Sequence, residues 1–151
     1  MKFAVDCMLG KLAKWLRIFG FDAVFFTRIE DRDLLNLAGK EERVLLTKDT
    51  GLLEMADIPS LYIESEDWEH QMIQVLRRFR LKDQVRPYTR CVECNVPLKP
   101  LPKEKARNLV SPFVFERASS FSLCPQCGRL FWPGTHHQDM CAKVEALLER
   151  V

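Results

Sequence analysis

The chain has 151 residues, six cysteines, 47% hydrophobic residues and a formal net charge of +2. That length fits one ordinary domain or two small ones, and the apolar share supports a buried core and excludes wholesale disorder. No apolar run approaches the ~20 residues that span a bilayer. The only apolar stretch at the N-terminus is interrupted by Asp6, which argues against a secretion signal. The expected location is therefore the cytoplasm, with no membrane partner. Residues 1–86 carry 14 Lys/Arg and 15 Asp/Glu, and residues 87–151 carry 9 and 6. The mildly basic second part permits an anionic partner without demanding one.

The first 86 residues alternate strand and helix. KFAV reads as a buried strand that stops at Asp6. LGKLAKWLRIFG follows with Leu9, Leu12, Leu16 and Phe19 at helical spacing and Gly20 as its stop. DAVFF is a second strand, and DRDLLNLAGKEE a helix with Leu34, Leu35, Leu37 and Ala38 on its apolar side. RVLLTKD is a third strand, and LYIE after Pro59 a fourth. SEDWEHQMIQVLRRFRL is a long helix with Trp68, Met72, Val75, Leu76 and Phe79 in phase. Such alternation predicts a mostly parallel sheet with helices on both faces. From about Pro87 the pattern breaks up around prolines and two Cys pairs. Short strands are expected through LVSPFVF and SFSL, and a final helix over DMCAKVEALLERV. The expected organisation is an α/β domain over residues 1–86 and a small cysteine-bearing domain over residues 87–151.

Asp6 directly follows the first strand and Asp49 the third. Open parallel sheets place ligand sites at the carboxyl ends of their strands. Asp31, with Asp33 as its near alternative, opens the second helix and can face the same crevice. Three gathered carboxylates need a countercharge, and Mg²⁺ or Mn²⁺ suits oxygen ligands. A bland reading stands beside this one: Asp at a helix start is an N-cap, and Asp after a strand is a turn residue. Asp22 in GFDAV reads as a turn former. Lys11, Lys14 and Arg17 lie three apart on the first helix, either as a solvated face or as a phosphate-holding row beside the acids.

CVEC supplies Cys91 and Cys94, and CPQC supplies Cys124 and Cys127, with 29 residues between the pairs. Two C-x-x-C knuckles are the ligand set of a tetrahedral structural zinc ribbon. Metal binding would also hold together a segment with a poor core. A set of Cys124, Cys127, His137 and Cys141 is chemically sensible too, with His136 beside it, whereas Cys141 alone reads as a small apolar helix residue. Thioredoxin-like chemistry is excluded because neither motif opens a helix in an α/β unit. A zinc deaminase is excluded because no H-x-E occurs.

On VDCMLGKLAKWLRIFGFD, DRDLLNLA, RVLLTKD, CVECN and CPQCGRLFWPGTHHQDM, the chain resembles the Mut-seven C-terminal family of PIN-like ribonuclease domains fused to a zinc ribbon. The resemblance covers nearly the whole chain. It implies a PIN-like three-layer α/β/α fold, an acidic Mg/Mn site and RNase activity. By position, Asp6 matches the first acid of that site, Asp31 the intervening one and Asp49 the acid after the later central strand. A fuller site has a fourth acid soon after Asp49, where this chain has Thr50 and Gly51. The expected function is metal-dependent hydrolysis of RNA phosphodiesters. Lys11, Lys14 and Arg17 would hold phosphates, and Arg90, Lys99, Lys103, Lys105, Arg107 and Arg129 of the ribbon would add RNA contacts. Phe131 and Trp132 would either stack on bases or pack over a zinc knuckle. The rival expectations are a non-catalytic RNA- or ribosome-binding module, which the missing acid favours, and a small-molecule phosphatase, which leaves the ribbon without a task.

Overall fold

Parallel strands cannot be joined by tight turns, so each needs a crossover, here helical. In the computed structural model, which describes residues 1–151, four strands obey this rule. They are β1 (Lys2–Val5), β2 (Asp22–Phe25), β3 (Val44–Thr47) and β4 (Ser60–Tyr62), all parallel, in the order β2-β1-β3-β4. The helices between and after them are α1 (Gly10–Ile18), α2 (Asp31–Lys40), α3 (Thr50–Met55) and α4 (Trp68–Arg78). A 3-10 turn over Cys7–Leu9 leads into α1.

Strand alternation divides the core into two. Phe3, Val5, Ala23, Val44 and Leu46 point toward α1 and α4 and join Leu12, Leu16, Met72 and Leu76 in the main cluster. Ala4 and Leu45 point the other way, toward Leu34 and Ala38 of α2 and Leu52 of α3. The result is the expected three-layer α/β/α arrangement. Trp15 of α1 and Trp68 of α4 lie face to face, with ring centroids 4.0 Å apart and planes 8° from parallel. Such a pair adds about 0.5–1.5 kcal/mol to the burial of its rings.

Gly20 ends α1 with φ +96°, and a Cβ there would sit 2.2 Å from the carbonyl oxygen of Arg86. The chain after α4 passes that close because the Arg86 and Tyr88 N–H groups donate to the Phe19 and Ile18 carbonyls. Glycine is therefore required both by its dihedral and by space.

After residue 87 a second, antiparallel sheet forms from β5 (Lys99–Leu101), β6 (Phe121–Leu123) and β7 (Leu130–Phe131). Between β5 and β6 lie the short helices α5 (Lys103–Ala106) and α6 (Pro112–Arg117). The strand expected through LVSPFVF is thus corrected to a helix. Ser111 caps it by accepting from Val114 N, and Pro112 occupies the first turn, where its fixed φ and missing N–H cost nothing. β5 was hidden by its own proline, tolerated because the strand lies at a sheet edge. This unit buries only Ala106, Ala118 and Phe121 as a core of its own. The final helix α7 (Thr135–Glu149) starts earlier than expected. Its Val144 and Leu147 join the main core beside α4.

Asp22 is corrected from turn former to the first residue of β2. Its Oδ1 accepts from Arg43 Nη1 at 2.7 Å, and the Arg43 side chain is 8% exposed. Burial works to raise the Asp22 carboxyl, but the bonds from Arg43 and Asn95 outweigh it and hold the acid below its ordinary value of 3.8. A depressed acid contributes stability above its unfolded pKa and loses it as pH falls through the folded one. Asp22→Asn should therefore cost about 1–3 kcal/mol at neutral pH. Urea melts should show that deficit shrinking only as the pH drops below about 3.8. A pH-independent deficit would assign the effect to packing instead.

Candidate active site and metal centre

The backbone directs Asp6 and Thr47 to one place. Val5 pairs with Leu46, so the next residues, Asp6 and Thr47, meet at the carboxyl edge of adjacent strands. Thr47 Oγ1 donates to Asp6 Oδ2 at 2.9 Å. The same hydroxyl accepts from the Asp49 N–H at 2.9 Å. Asp6 is 7% exposed and Thr47 fully buried. Thr47 therefore links the two acids, one by side chain and one by backbone. Nothing in a threonine ending a strand distinguishes it from a β-former, and that reading of LLTKD missed it.

Asp49 does two things. Its Oδ1 caps α3, accepting from Gly51 N at 2.8 Å and Leu52 N at 3.3 Å. Its other oxygen takes no protein hydrogen bond. Asp31 is exposed at the first position of α2, with Asp33 two residues on in the same first turn. Both border a groove with Ile29, Arg32 and Met55. The Cys7 thiol lies beside Asp6 and within range of the Asp31 charge. Its pKa is pushed up by partial desolvation, then by the charge of Asp6, and more weakly by that of Asp31. The three carboxylates thus share one edge, yet they do not close to ligand spacing: the four knuckle cysteines are the sole set of three or more metal-ligating residues with ligand atoms all within 4.8 Å. The donor set of Asp6, Asp31 and Asp49 still suits Mg²⁺ or Mn²⁺, because such ions keep several waters and need only one or two direct carboxylates.

The basic row separates. Lys11 is exposed, its ammonium 6.0 Å from the Trp68 ring centroid, and Lys14 is exposed. Arg17 is committed elsewhere. Its Nε donates to Ala23 O at 2.9 Å and its Nη1 to Val92 O at 2.7 Å and Glu93 O at 3.3 Å. Asn95 completes the join, with Ala23 N donating to its Oδ1 at 3.0 Å and its Nδ2 donating to Asp22 Oδ1 at 2.7 Å. β2 is an edge strand, and Arg17 of α1 together with Asn95 after the first knuckle satisfies both outward backbone groups of Ala23, which blunts that edge.

Cys91, Cys94, Cys124 and Cys127 converge as expected, with Cys91 Sγ 3.9 Å from Cys127 Sγ. Tetrahedral zinc with Zn–S near 2.3 Å requires sulfurs about 3.8 Å apart, so the site fits zinc. Burial works to raise the Cys124 thiol, but N–H groups of Cys127 and Gln126 outweigh it and bring it to about 7. Cys94, desolvated and crowded by the other sulfurs, is pushed up to about 12. Cys141 and His137 are not in this cluster. Both face Tyr88, whose ring centroid is 4.2 Å from that of His137 and whose hydroxyl is raised by burial and by Cys141. His136 is exposed.

The ribbon cations are dispersed. Arg90 Nη1 donates to Asn95 O. Lys103 and Arg107 lie over the Phe115 ring, and Arg129 is 3.8 Å from Glu93. Lys99 and Lys105 are exposed. Trp132 packs near Phe121 at 6.1 Å while staying 37% exposed, and Phe131 is half-buried in β7. No helix is long and apolar enough to cross a membrane.

No curated protein and no solved structure matches the chain. One family model does, and it spans the parallel sheet, both cysteine knuckles and most of the last helix. A match over residues 1–144 to the Mut7-C RNAse domain covers nearly everything described above, and the chain belongs to that family.

Proposed function

We propose that the chain is a metal-dependent endoribonuclease whose acids are Asp6, Asp31 and Asp49, with a zinc ribbon that supports RNA binding. The observation that carries this reading is the buried Asp6, held by Thr47 beside Asp49 at the carboxyl edge of a parallel sheet. Membership of a family of RNase domains points to the same chemistry. Asp6 Oδ1, the uncapped oxygen of Asp49 and the Asp31 carboxylate would hold Mg²⁺ or Mn²⁺. Bound there, such an ion supplies Lewis-acid polarisation of a phosphodiester and a water of lowered pKa. The protein's own share is orientation: Thr47 fixes the Asp6 carboxylate, and the α3 cap fixes that of Asp49. Lys11 and Lys14 are free to meet phosphates, while Arg17 acts as the clamp between sheet and knuckle.

A second reading, an RNA- or ribosome-binding module without turnover, draws on the absent fourth acid and on carboxylates that do not close to ligand spacing. Incubating the purified chain with single-stranded and structured RNA in Mn²⁺ or Mg²⁺ decides between them. Metal-dependent cleavage is expected. Tight binding with no cleavage under either ion would overturn the nuclease in favour of the binding module.

A further inference from the structure

The register that joins Asp6 to Thr47 extends across the whole sheet. Val5 pairs with Phe25 on one side and Leu46 on the other, and Thr47 pairs with Tyr62. One residue further on, Phe26, Asp6, Thr47 and Tyr62 form a single cross-strand row at the carboxyl edge. Alternation puts the row on one face. Phe25, Val5, Leu46, Leu61 and Ile63 all pack into the α1/α4 core, so their neighbours turn toward the α2/α3 side. An aromatic ring thus stands at each end of the row, with the buried acid and its threonine between.

These two rings differ from the other exposed aromatics, Phe113 beneath Arg117 and Trp132 beside Phe121. Phe26 and Tyr62 are each 37% exposed. Neither has a ring partner, unlike Trp15 on Trp68, and neither lies under a cation, unlike Phe113 beneath Arg117 or Phe115 beneath Lys103 and Arg107. The Tyr62 hydroxyl makes no protein hydrogen bond. Strands lie about 4.8 Å apart, so three steps set the rings roughly 14 Å apart, a few nucleotides of extended chain. Leaving two large rings half exposed serves no packing purpose here, whereas bases stack on such rings whatever their sequence.

We propose that Phe26 and Tyr62 are base-stacking residues on either side of Asp6, so that the chain takes an unpaired RNA strand laid across the sheet edge. This rests on the nuclease reading for the meaning of Asp6, but the stacking itself does not need turnover. A paired duplex hides its base faces and cannot supply them to these rings.

The test is fluorescence anisotropy with a short labelled single-stranded RNA, without added Mg²⁺ or Mn²⁺, on wild type, Phe26→Ala, Tyr62→Ala and the conservative Phe26→Tyr and Tyr62→Phe. Each alanine variant should bind about 5- to 150-fold more weakly, with affinity restored in the conservative variants. Abasic RNA should bind wild type weakly, and the alanine changes should then cost little more. Thermal melts check that these exposed positions leave the fold intact. Equal binding by wild type and alanine variants, or by abasic and intact RNA, would overturn the proposal even if wild type cleaves. Stacking-dependent binding in this assay, with no cleavage once Mn²⁺ or Mg²⁺ is added, would sustain it and sink the nuclease reading. Failure of wild type to bind any single strand would overturn the stacking proposal, and the nuclease reading would then stand or fall on the cleavage assay with Mn²⁺ or Mg²⁺.

Discussion

Replacing Cys91 and Cys94 together by serine should strip the bound zinc and unfold residues 87–131, while the parallel sheet survives in weakened form. The ribbon buries three residues as its own core, far too little to offset the ordering entropy of its chain. Zinc held by four thiolates supplies about 10–16 kcal/mol of apparent binding energy in comparable small domains. Serine can neither ligate as a thiolate nor fill the same volume. The damage should spread to the sheet through one specific join. Arg17 would lose its acceptors on Val92 and Glu93, and Asn95 would leave Ala23 N and Asp22. At roughly 1 kcal/mol per hydrogen bond, the α/β part should lose about 2–4 kcal/mol. That corresponds to a fall of several degrees in its melting temperature. Metal analysis should show zinc gone, and hydrogen exchange should show the Ala23 amide losing protection. Undiminished zinc in the double variant would mean the ligands lie elsewhere. Full protection at Ala23 would mean knuckle and sheet are uncoupled.

How much of this was legible in the residues depends on range. The βαβ alternation, the Leu9-Leu12-Leu16-Phe19 stripe and the four-cysteine site were readable because each is written in local period or spacing. Asp6 and Asp49 were readable as strand-end acids, since position after a strand is also local. Thr47 was not: its role comes from a register between strands forty residues apart. Arg17 misled for the same reason. Its spacing from Lys11 and Lys14 is a surface pattern, while its partners at Val92 and Glu93 belong to a segment that only the fold brings near. Asn95 had a signal that went unused. It follows the knuckle in CVECN and has φ 60°, the left-handed turn that Asn tolerates better than most residues. The LVSPFVF error was a contest between an apolar run and a Ser-Pro helix start, and the cap won. The row of Phe26 and Tyr62 needed register and face together, which no window of sequence contains.

Asp6→Asn should leave the fold standing and reduce metal-dependent cleavage by roughly a thousandfold or more. Its amide oxygen can still accept from Thr47 Oγ1, so stability should stay within about 1 kcal/mol of wild type. The lost charge removes a ligand from an ion expected to contribute several kcal/mol to the transition state. Asp49 requires a subtler choice, because it also caps α3. Asparagine caps as well as aspartate, so Asp49→Asn isolates the charge, whereas Asp49→Ala adds about 1 kcal/mol of lost cap. If both Asp49 variants cleave equally poorly but only alanine melts early, the two roles are separate. Thr47→Val makes the opposite test. It keeps shape and charge but removes the hydroxyl that orients Asp6 and receives the Asp49 N–H. Two groups are then left without partners, at about 1–3 kcal/mol each, so Thr47→Val should melt well below Asp6→Asn while retaining more activity. Cleavage that persists at the wild-type rate in both Asp6→Asn and Asp49→Asn would remove these acids from the chemistry. A Thr47→Val variant as stable as wild type would remove the hydroxyl from its bridging role.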